Sequence, residues 1–175
     1  MTLLKGGEIV ADEWAAVGDD DPVPAGPAIV SLQRWQGERE ELLRRNHPVG
    51  VRLASDEASG APGAPGVIEE ISADLDRLGV VVLEFASFTD GRAYSQARLL
   101  RERYGFEGEV RAVGNVLRDQ YQFMLRCGFD AFEVVDPGKL DGWREAASEI
   151  GAWYQPAADR RQSIPALRHA ARGRA

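Results

Sequence analysis

Five short apolar segments, each followed by a segment of helical periodicity, restrict the fold of this chain more than any other feature. The strand-like segments are Ala28 to Leu32, Val49 to Ala54, Val80 to Phe85, Gly108 to Gly114 and Phe129 to Val135. Strand-then-helix units in series favour parallel strands joined by right-handed crossovers. The sequence therefore predicts an α/β fold with one mainly parallel sheet, either an open sheet or a partial barrel, preceded by a short N-terminal hairpin.

The segments between the strands carry apolar side chains at helical spacing. One such stripe consists of Ala93, Ala97, Leu100 and Tyr104. Three glycines stand where helices are expected to end, because glycine accepts the left-handed conformation of a C-terminal cap. They are Gly79, Gly105 and Gly128.

Length and charge divide the chain into an acidic body and a basic tail. At 175 residues, one domain with its own core is expected, and we assign it to residues 1–159. Residues 160–175 contain five arginines and no acidic residue, whereas the body has 16 basic and 28 acidic residues, a net charge of −12. We expect a flexible tail, with folding back onto the body or contact with a partner as the alternatives.

Composition also narrows the classes of function. A formal charge of −7 argues against nucleic-acid or anionic-membrane binding, and the absence of a signal peptide or a long apolar segment predicts a cytoplasmic protein. One cysteine, Cys127, with two histidines, His47 and His169, is a poor ligand set for zinc, haem or an iron–sulfur cluster. Neither GxGxxG nor the Walker motif occurs, so no cofactor is predicted. Cys127 is expected to be a buried structural thiol.

The loops after the strands form the candidate ligand site, because the carboxyl ends of parallel strands share one edge of a sheet. We expect Ser87 to Arg92, Gly114 to Asp119 and Asp136 to Lys139 to converge there. The ligand-binding candidates are Ser87, Thr89, Asp90, Arg92, Ser95, Asn115 and Arg118. Arg92 and Arg118 either hold a small anion at two helix starts or pair with Asp90 and Asp119, whereas Asp90 and Asn115 are also candidate helix caps.

Four successive predicted strands each contain one charged residue within an apolar run. These are Arg52, Glu84, Arg111 and Glu133. A sheet buried on both faces rarely carries such charges, so we expect the four side chains to share one face and to form Arg–Glu contacts. The row is either a structural ion network or a catalytic one. Glu84, Arg111 and Glu133, together with Asp119, are the candidates for catalysis, although no catalytic role is assigned to any of them.

Two stretches rich in proline and glycine interrupt the repeating units. Asp19 to Pro27 separates the predicted hairpin from the first unit, and Ser55 to Gly66 separates the second strand from its helix. Both are expected to be exposed loops. Because the second stretch follows the carboxyl end of a strand, it is either a lid over a site or a surface insertion.

The stretch from Phe88 to Val134 contains DGRAYSQARLLRERYG, LRDQ and RCGFDAFE. It resembles an uncharacterised bacterial domain-of-unknown-function family, often labelled a probable oxidoreductase of sulfite reduction, whose genes accompany those of assimilatory sulfite reductase. The family pattern falls on Asp90, Gly91, Arg92, Tyr94, Ser95, Ala97, Arg98, Arg111, Gly114, Leu117, Arg118, Asp119, Gln120, Arg126, Cys127, Gly128, Phe129 and Asp130. The resemblance implies a role in sulfur assimilation and assigns no catalytic residue.

Two classes of function agree with this resemblance. One is an accessory protein that acts with sulfite reductase or its electron donor and has no redox centre of its own. The other is a small enzyme or ligand-binding protein that takes an anionic substrate at the carboxyl edge of the sheet. We favour the accessory role, because it requires no cofactor motif.

Overall fold

The computed structural model describes residues 1–54, 66–87, 89–135, 140–159 and 161–172. Within these residues, eight strands form one sheet in the order β2-β1-β8-β7-β6-β5-β4-β3. The strands are β1 (Thr2–Lys5), β2 (Glu8–Val10), β3 (Ala15–Ala16), β4 (Ala28–Ser31), β5 (Val49–Leu53), β6 (Leu78–Phe85), β7 (Glu109–Gly114) and β8 (Ala131–Val134).

Six α-helices accompany the sheet in the described part of the chain: α1 (Leu32–Leu43), α2 (Val67–Ile71), α3 (Arg92–Arg98), α4 (Tyr121–Cys127), α5 (Leu140–Ser148) and α6 (Ile164–Arg172). A 3₁₀ segment, Ser72–Arg77, extends α2, and another, Arg118–Gln120, precedes α4. A π-helical turn, Leu99–Arg103, extends α3. None of these helices has the length and apolarity needed to cross a bilayer.

The sheet combines a parallel series with an antiparallel hairpin. Strands β3 to β8 pair in parallel with one another in sequential order. Strand β1 pairs antiparallel with both β8 and β2. The predicted βα series and N-terminal hairpin are therefore present, but the sheet as a whole is mixed, because the hairpin joins its edge. The sheet is open and curled, which makes it a half-barrel.

A short connection explains why the sheet curls. Strands β2 and β3 lie at opposite edges of the sheet, yet only residues 11–14 separate them in the sequence. We call these four residues the strap. The chain from Val10 to Ala15 spans at most about 18 Å. Eight flat strands would place the edges about 34 Å apart, so only a curled sheet allows the strap to reach.

The main core lies between the outer face of the sheet and the helices. Alternate strand residues such as Val51, Leu83 and Val110 share this core with the helical residues Trp35 and Met124. Right-handed crossovers between successive parallel strands place all the connecting helices on the same face of the sheet. The buried apolar residues agree with this rule, because the helical residues share one cluster with the outer face of the sheet and are absent from the cluster on the inner face, among the described residues. The outer face therefore carries the larger share of the buried apolar surface.

The inner face has a separate and smaller apolar cluster. It consists of Ile29, Val80, Val82 and Val113, and Trp14 of the strap packs against it. No helical residue belongs to this cluster among the described residues. The chain thus covers its own concave face with the strap.

Most of the predicted boundaries agree with these elements, with two differences. Gly128 ends α4 in the left-handed conformation, φ 104°, and Gly105 has φ 64°, but Gly79 lies inside β6, so its predicted role as a helix cap is wrong. The basic tail contains helix α6, none of whose side chains is buried. Residues 55–65 of the predicted loop and the segment Asp136 to Lys139 lie outside the described residues.

Candidate functional site

A cavity of about 410 Å³ opens at the carboxyl ends of β4, β5 and β6, and we call it the mouth cavity. Ligands of parallel α/β folds bind at this edge of the sheet, because the loops and helix starts converge there. The lining residues are Ala16, Val17, Gly18, Asp19, Ile29, Val30, Ser31, Arg52, Ala54 and Glu84. The mouth cavity therefore contains the first two members of the predicted charged row.

The charged side chains of the mouth cavity come from adjacent strands. Ser31 and Arg52 are register partners on β4 and β5. Arg52 in turn pairs in register with Val82, two residues before Glu84 on β6, so the three polar side chains point to the same face. Arg52 Nη2 donates to Glu84 Oε2 at 3.0 Å, and both side chains are partly exposed. The predicted Arg–Glu contact is confirmed for this pair.

The loop that forms the far wall is tied to the start of α1. Ser31 Oγ accepts a hydrogen bond from the backbone N–H of Arg34 and donates one to Asp19 Oδ1. Arg34, whose side chain is 9% exposed, donates from Nη1 to the carbonyls of Gly18 and Asp21 at 2.6 and 2.7 Å. These bonds hold the Asp19 carboxylate against the cavity.

The other two members of the row form a separate network under the strap. Arg111 is 1% exposed, and its guanidinium donates to Glu109 at 2.7 Å, to both carboxylate oxygens of Asp12 at 2.7 and 3.0 Å, and to Glu133 at 3.4 Å. Lys5 adds a second cation at 3.0 Å from Glu109. All four residues of the predicted row therefore lie on the inner face, but as two groups.

The electrostatics of the Arg111 network agree with a fixed ion pair. Burial disfavours the charged form of Asp12, but hydrogen bonds from Arg111 and from the backbone of Trp14 outweigh it and hold the Asp12 pKa below its usual value. Burial likewise opposes the charge on Arg111, yet its bonds to Asp12 and Glu109 raise its pKa. Asp12 is thereby fixed to the inner face, and with it the strap.

The predicted ligand loop between β6 and α3 is held by local bonds. Ser87 Oγ and Thr89 Oγ1 are 2.9 Å apart. The N-cap of α3 is Gly91, without a side-chain cap, so Asp90 is not the predicted cap. Asp90 accepts the backbone N–H of Arg92 at 3.1 Å, and its carboxylate also pairs with the Arg92 guanidinium at 2.6 Å. The bond from Arg92 lowers the Asp90 pKa. The structure thus favours pairing with Asp90 as the role of Arg92.

The loop between β7 and α4 differs from the prediction. Asn115 is exposed and makes no side-chain cap, since the 3₁₀ segment begins after Leu117 without one. Arg118 forms no ion pair with any described residue, so the alternative in which it pairs with Asp119 is wrong, whereas the anion alternative is not tested. Arg118 and Asp119 line a surface cavity of about 620 Å³ beside α5. The predicted ligand-binding residues are therefore spread over several surfaces.

A second concave surface, which we call the aromatic groove, lies between α3, α4 and residues 153–157. Its volume is about 570 Å³, and it is lined by Tyr94, Ser95, Arg98, Phe123, Arg126, Cys127, Trp153, Tyr154, Gln155, Pro156 and Ala157. Two of its aromatic side chains face solvent, with Phe123 57% and Tyr154 74% exposed. Ser95, a predicted ligand residue, lines this groove and does not line the mouth cavity.

Arg126 holds one wall of the aromatic groove in place. Its guanidinium pairs with Asp159 at 3.1 Å, both side chains being largely buried, and donates to the Gln155 carbonyl at 2.7 Å. It also stacks on the ring of Trp153, 4.0 Å from the ring centre. On the opposite wall, Tyr94 and Phe123 pack with ring centres 4.9 Å apart.

Burial disfavours ionisation of two side chains of the groove, Cys127 and Tyr94. Burial raises the pKa of the Cys127 thiol, which is buried and free of any disulfide. Burial, with the charges of Cys127 and Asp119, raises the pKa of Tyr94 to about 12. A thiol of this kind is a poor nucleophile, in agreement with the predicted structural role of Cys127.

Sequence reasoning missed three residues that shape these sites: Asp12, Asp19 and Ser31. Ser31 carried a usable signal, because a serine between a strand and a helix is a favoured N-cap. The other two stand in segments without periodicity. Within the described residues, no cluster of three or more histidine, cysteine, aspartate or glutamate side chains is arranged to hold a metal ion.

The fold and its two concave surfaces define an α/β half-barrel protein with an inner face closed by its own N-terminal strap. Residues 51–165 match the model of a bacterial protein family of unknown function, DUF934, and the chain belongs to that family. The match begins in β5 and therefore covers the aromatic groove, but excludes the strap and β4. No curated protein matches the sequence.

Proposed function

We propose that this protein is an accessory protein of assimilatory sulfite reduction that binds sulfite reductase or its electron donor through the aromatic groove. The observation that carries the proposal is the position of the residues on which the family resemblance rests. Five of them line this one groove: Tyr94, Ser95, Arg98, Arg126 and Cys127. The link to sulfite reduction itself comes from the resemblance.

The chemistry of the groove suits a protein partner. Tyrosine, tryptophan, phenylalanine and arginine are enriched at the centres of protein interfaces, where a few such side chains supply most of the binding energy. Phe123 and Tyr154 offer exposed aromatic surface, and Arg98 lies on the same surface. The Arg126–Asp159 pair holds residues 153–159 before a partner arrives, which lowers the entropic cost of association.

Binding to purified partners tests this proposal directly. The parent protein, immobilised, is expected to bind either the sulfite reductase haemoprotein or its electron donor. A double variant, Phe123→Ala with Tyr154→Ala, is expected to bind at least about tenfold more weakly, since loss of one interface anchor commonly costs more than 1 kcal/mol. Ile9→Ala is the matched control, because Ile9 is an exposed apolar residue in β2, outside the groove.

Growth gives the cellular counterpart. Deletion of the gene is expected to impair growth on sulfate and sulfite and to leave growth on sulfide and cysteine unchanged. The parent gene and Ile9→Ala are expected to restore growth, whereas the groove double variant is not. Binding of neither partner, or full restoration by a folded double variant, would refute the groove as the docking surface.

A further inference from the structure

We propose that the mouth cavity binds a small zwitterion, of the class of free α-amino acids, through Arg52, Glu84 and Asp19. This site is separate from the aromatic groove, and the proposal requires no protein partner. Its volume of about 410 Å³ is within the range of small-molecule pockets, roughly 300 to 1,000 Å³. It also lies at the edge of the sheet where parallel α/β folds bind ligands.

The carboxylate of the ligand has a donor in Arg52. A guanidinium has five N–H donors in a planar fork, suited to a carboxylate. Within the described residues Arg52 donates one hydrogen bond, from Nη2 to Glu84, and its Nε and Nη1 groups make none. Its side chain is 48% exposed, at the surface of the cavity. Arg52 is therefore fixed by Glu84 and keeps donors for a ligand.

The ammonium group of the ligand has acceptors on both sides of Arg52. Glu84 is the partner of Arg52 on one side, and Asp19 is held on the other side through Ser31. Asp19 Oδ1 accepts from Ser31, and a carboxylate oxygen has lone pairs for further donors. The carboxylates of Asp19 and Glu84 thus flank the Arg52 cation, Asp19 on the side of β4 and Glu84 on the side of β6.

The sum of charges selects a zwitterion over a simple anion. Among the described residues that line the cavity there are one cation, Arg52, and two carboxylates, Asp19 and Glu84, which sum to a formal charge of −1. A ligand with negative charge alone would meet repulsion from both carboxylates. A ligand with a carboxylate and an ammonium group satisfies both signs. This charge balance differs from the small-anion hypothesis, which rested on Arg92 and Arg118.

Thermal unfolding and calorimetry of the full chain test the proposal. The probes are the protein amino acids, each added singly and all at the same millimolar concentration. Acetate, sulfate and methylammonium, which carry charge of one sign only, are the comparison ligands. At least one amino acid is expected to raise the Tm and to give a calorimetric isotherm, because a ligand of the folded state stabilises it. The three single-charge probes are expected to leave the Tm unchanged.

Two variants and one matched control connect the binding to the cavity. Arg52→Met is expected to weaken amino-acid binding by about tenfold or more, since it removes the charge-assisted bonds to the carboxylate. Glu84→Gln is expected to weaken it while preserving shape. Arg44→Ala is the control, because Arg44 also pairs with a glutamate, Glu40, but on the exposed surface of α1. It is expected to bind as the parent does.

Three results would overturn the proposal. The first is that no amino acid raises the Tm or gives an isotherm. The second is that acetate or sulfate stabilises the protein as much as any amino acid does, which would indicate an anion site. The third is that Arg52→Met and Glu84→Gln, both folded by circular dichroism, bind as tightly as Arg44→Ala.

Discussion

The indole ring of Trp14 lies directly over the Cα atom of Gly79. A Cβ atom placed on Gly79 would be 2.6 Å from Cη2 and 3.0 Å from Cζ2 of the indole. Glycine is therefore required at position 79, because the indole occupies the space that a Cβ would fill. Gly79 lies within β6, where glycine otherwise weakens a strand. The contact joins the strap to the sheet at a position that no other residue type would allow without a shift.

We expect Gly79→Ala to destabilise the protein by about 1 to 3 kcal/mol, because the added methyl group displaces the indole. In a Trp14→Leu background the same substitution is expected to cost much less. Urea unfolding of the four proteins of this cycle measures the coupling.

Gly128→Ala is the control for this cycle. A Cβ on Gly128 would lie 2.5 Å from Cγ of Arg101 and 3.4 Å from Cβ of Ala158, and its left-handed φ of 104° adds strain. Neither neighbour belongs to the cluster against which Trp14 packs, so Trp14→Leu is expected to leave the cost of Gly128→Ala unchanged. If Trp14→Leu reduced the destabilisation of both glycine variants equally, a specific contact between Trp14 and Gly79 would be contradicted.

The ion pair between Asp12 and Arg111 predicts a pH-dependent contribution to stability. The pKa of Asp12 is lowered in the folded state, so its contribution is complete above the unfolded pKa of about 3.9 and is lost as the pH falls through the folded value. We expect Asp12→Asn to cost about 1 kcal/mol at pH 7, because the partly exposed carboxylate is screened by solvent. The difference between parent and variant should shrink below about pH 4.

Free energies of unfolding at several pH values measure this difference. Glu40→Gln provides the comparison, because Glu40 also pairs with an arginine but is 80% exposed. It is expected to change the unfolding free energy by less than about 0.5 kcal/mol. A deficit of Asp12→Asn that stays constant down to pH 3 would rule out the ion pair as its cause.

Two arginines of the aromatic groove should differ sharply in their effect on stability. Arg126 and Asp159 form a pair in which both side chains are about nine-tenths buried, whereas Arg98 pairs with Glu102 on the exposed surface of the helix. Arg126→Met removes the buried partner of Asp159 and leaves this carboxylate only a longer contact with the Arg161 guanidinium, at 3.7 Å, and is expected to cost about 3 to 5 kcal/mol. Arg98→Met is expected to cost about 0 to 1 kcal/mol. Chemical denaturation of both variants gives the comparison, and similar costs would show that burial of the Arg126 pair contributes little.

Asp90 is expected to stabilise the start of α3 chiefly through its hydrogen bond with the Arg92 backbone, with its ion pair a minor contribution. Asp90→Ala removes the acceptor for the Arg92 backbone N–H and should cost about 0.5 to 2 kcal/mol. Asp90→Asn keeps an acceptor oxygen and should cost less, and Arg92→Ala should change the Tm little. We expect all three variants to restore growth in proportion to their folded fraction. Loss of growth by a stable Arg92→Ala protein would instead support the anion hypothesis for this loop.

The parallel part of the fold could be predicted from the sequence, because it depends on local patterns of apolar residues. Apolar runs of the length of a strand located β4 to β8, and the charge within each run identified Arg52 and Glu84 as unusual. The curl of the sheet could not be predicted in the same way. The curl follows from the order of the strands, and the strap is a four-residue segment without periodicity, whose role appears only when β2 and β3 are placed at opposite edges.

The candidate site was predicted incompletely for a related reason. Loops after the strands were assumed to converge on one cavity, but the mouth cavity is formed on the inner face by strand residues and by the loop around Asp19. Asp19 contributes through Ser31, which is itself placed by the register of β4 with β5. Register depends on long-range pairing, so a pattern of residue types along the chain does not show which polar side chains meet.

The pairing of the first strand with the last has a consequence for synthesis on the ribosome. Leu3 lies opposite Glu133, whereas β4 to β7 pair only with strands that are close in sequence. At roughly 5 to 20 residues per second, β1 leaves the ribosome on the order of ten seconds before β8 is made. Val80 and Val82 stay uncovered from their own synthesis until Arg111 of β7 has been made, since Arg111 fixes the strap. A growing chain thus exposes its concave face until nearly the whole barrel segment has been translated.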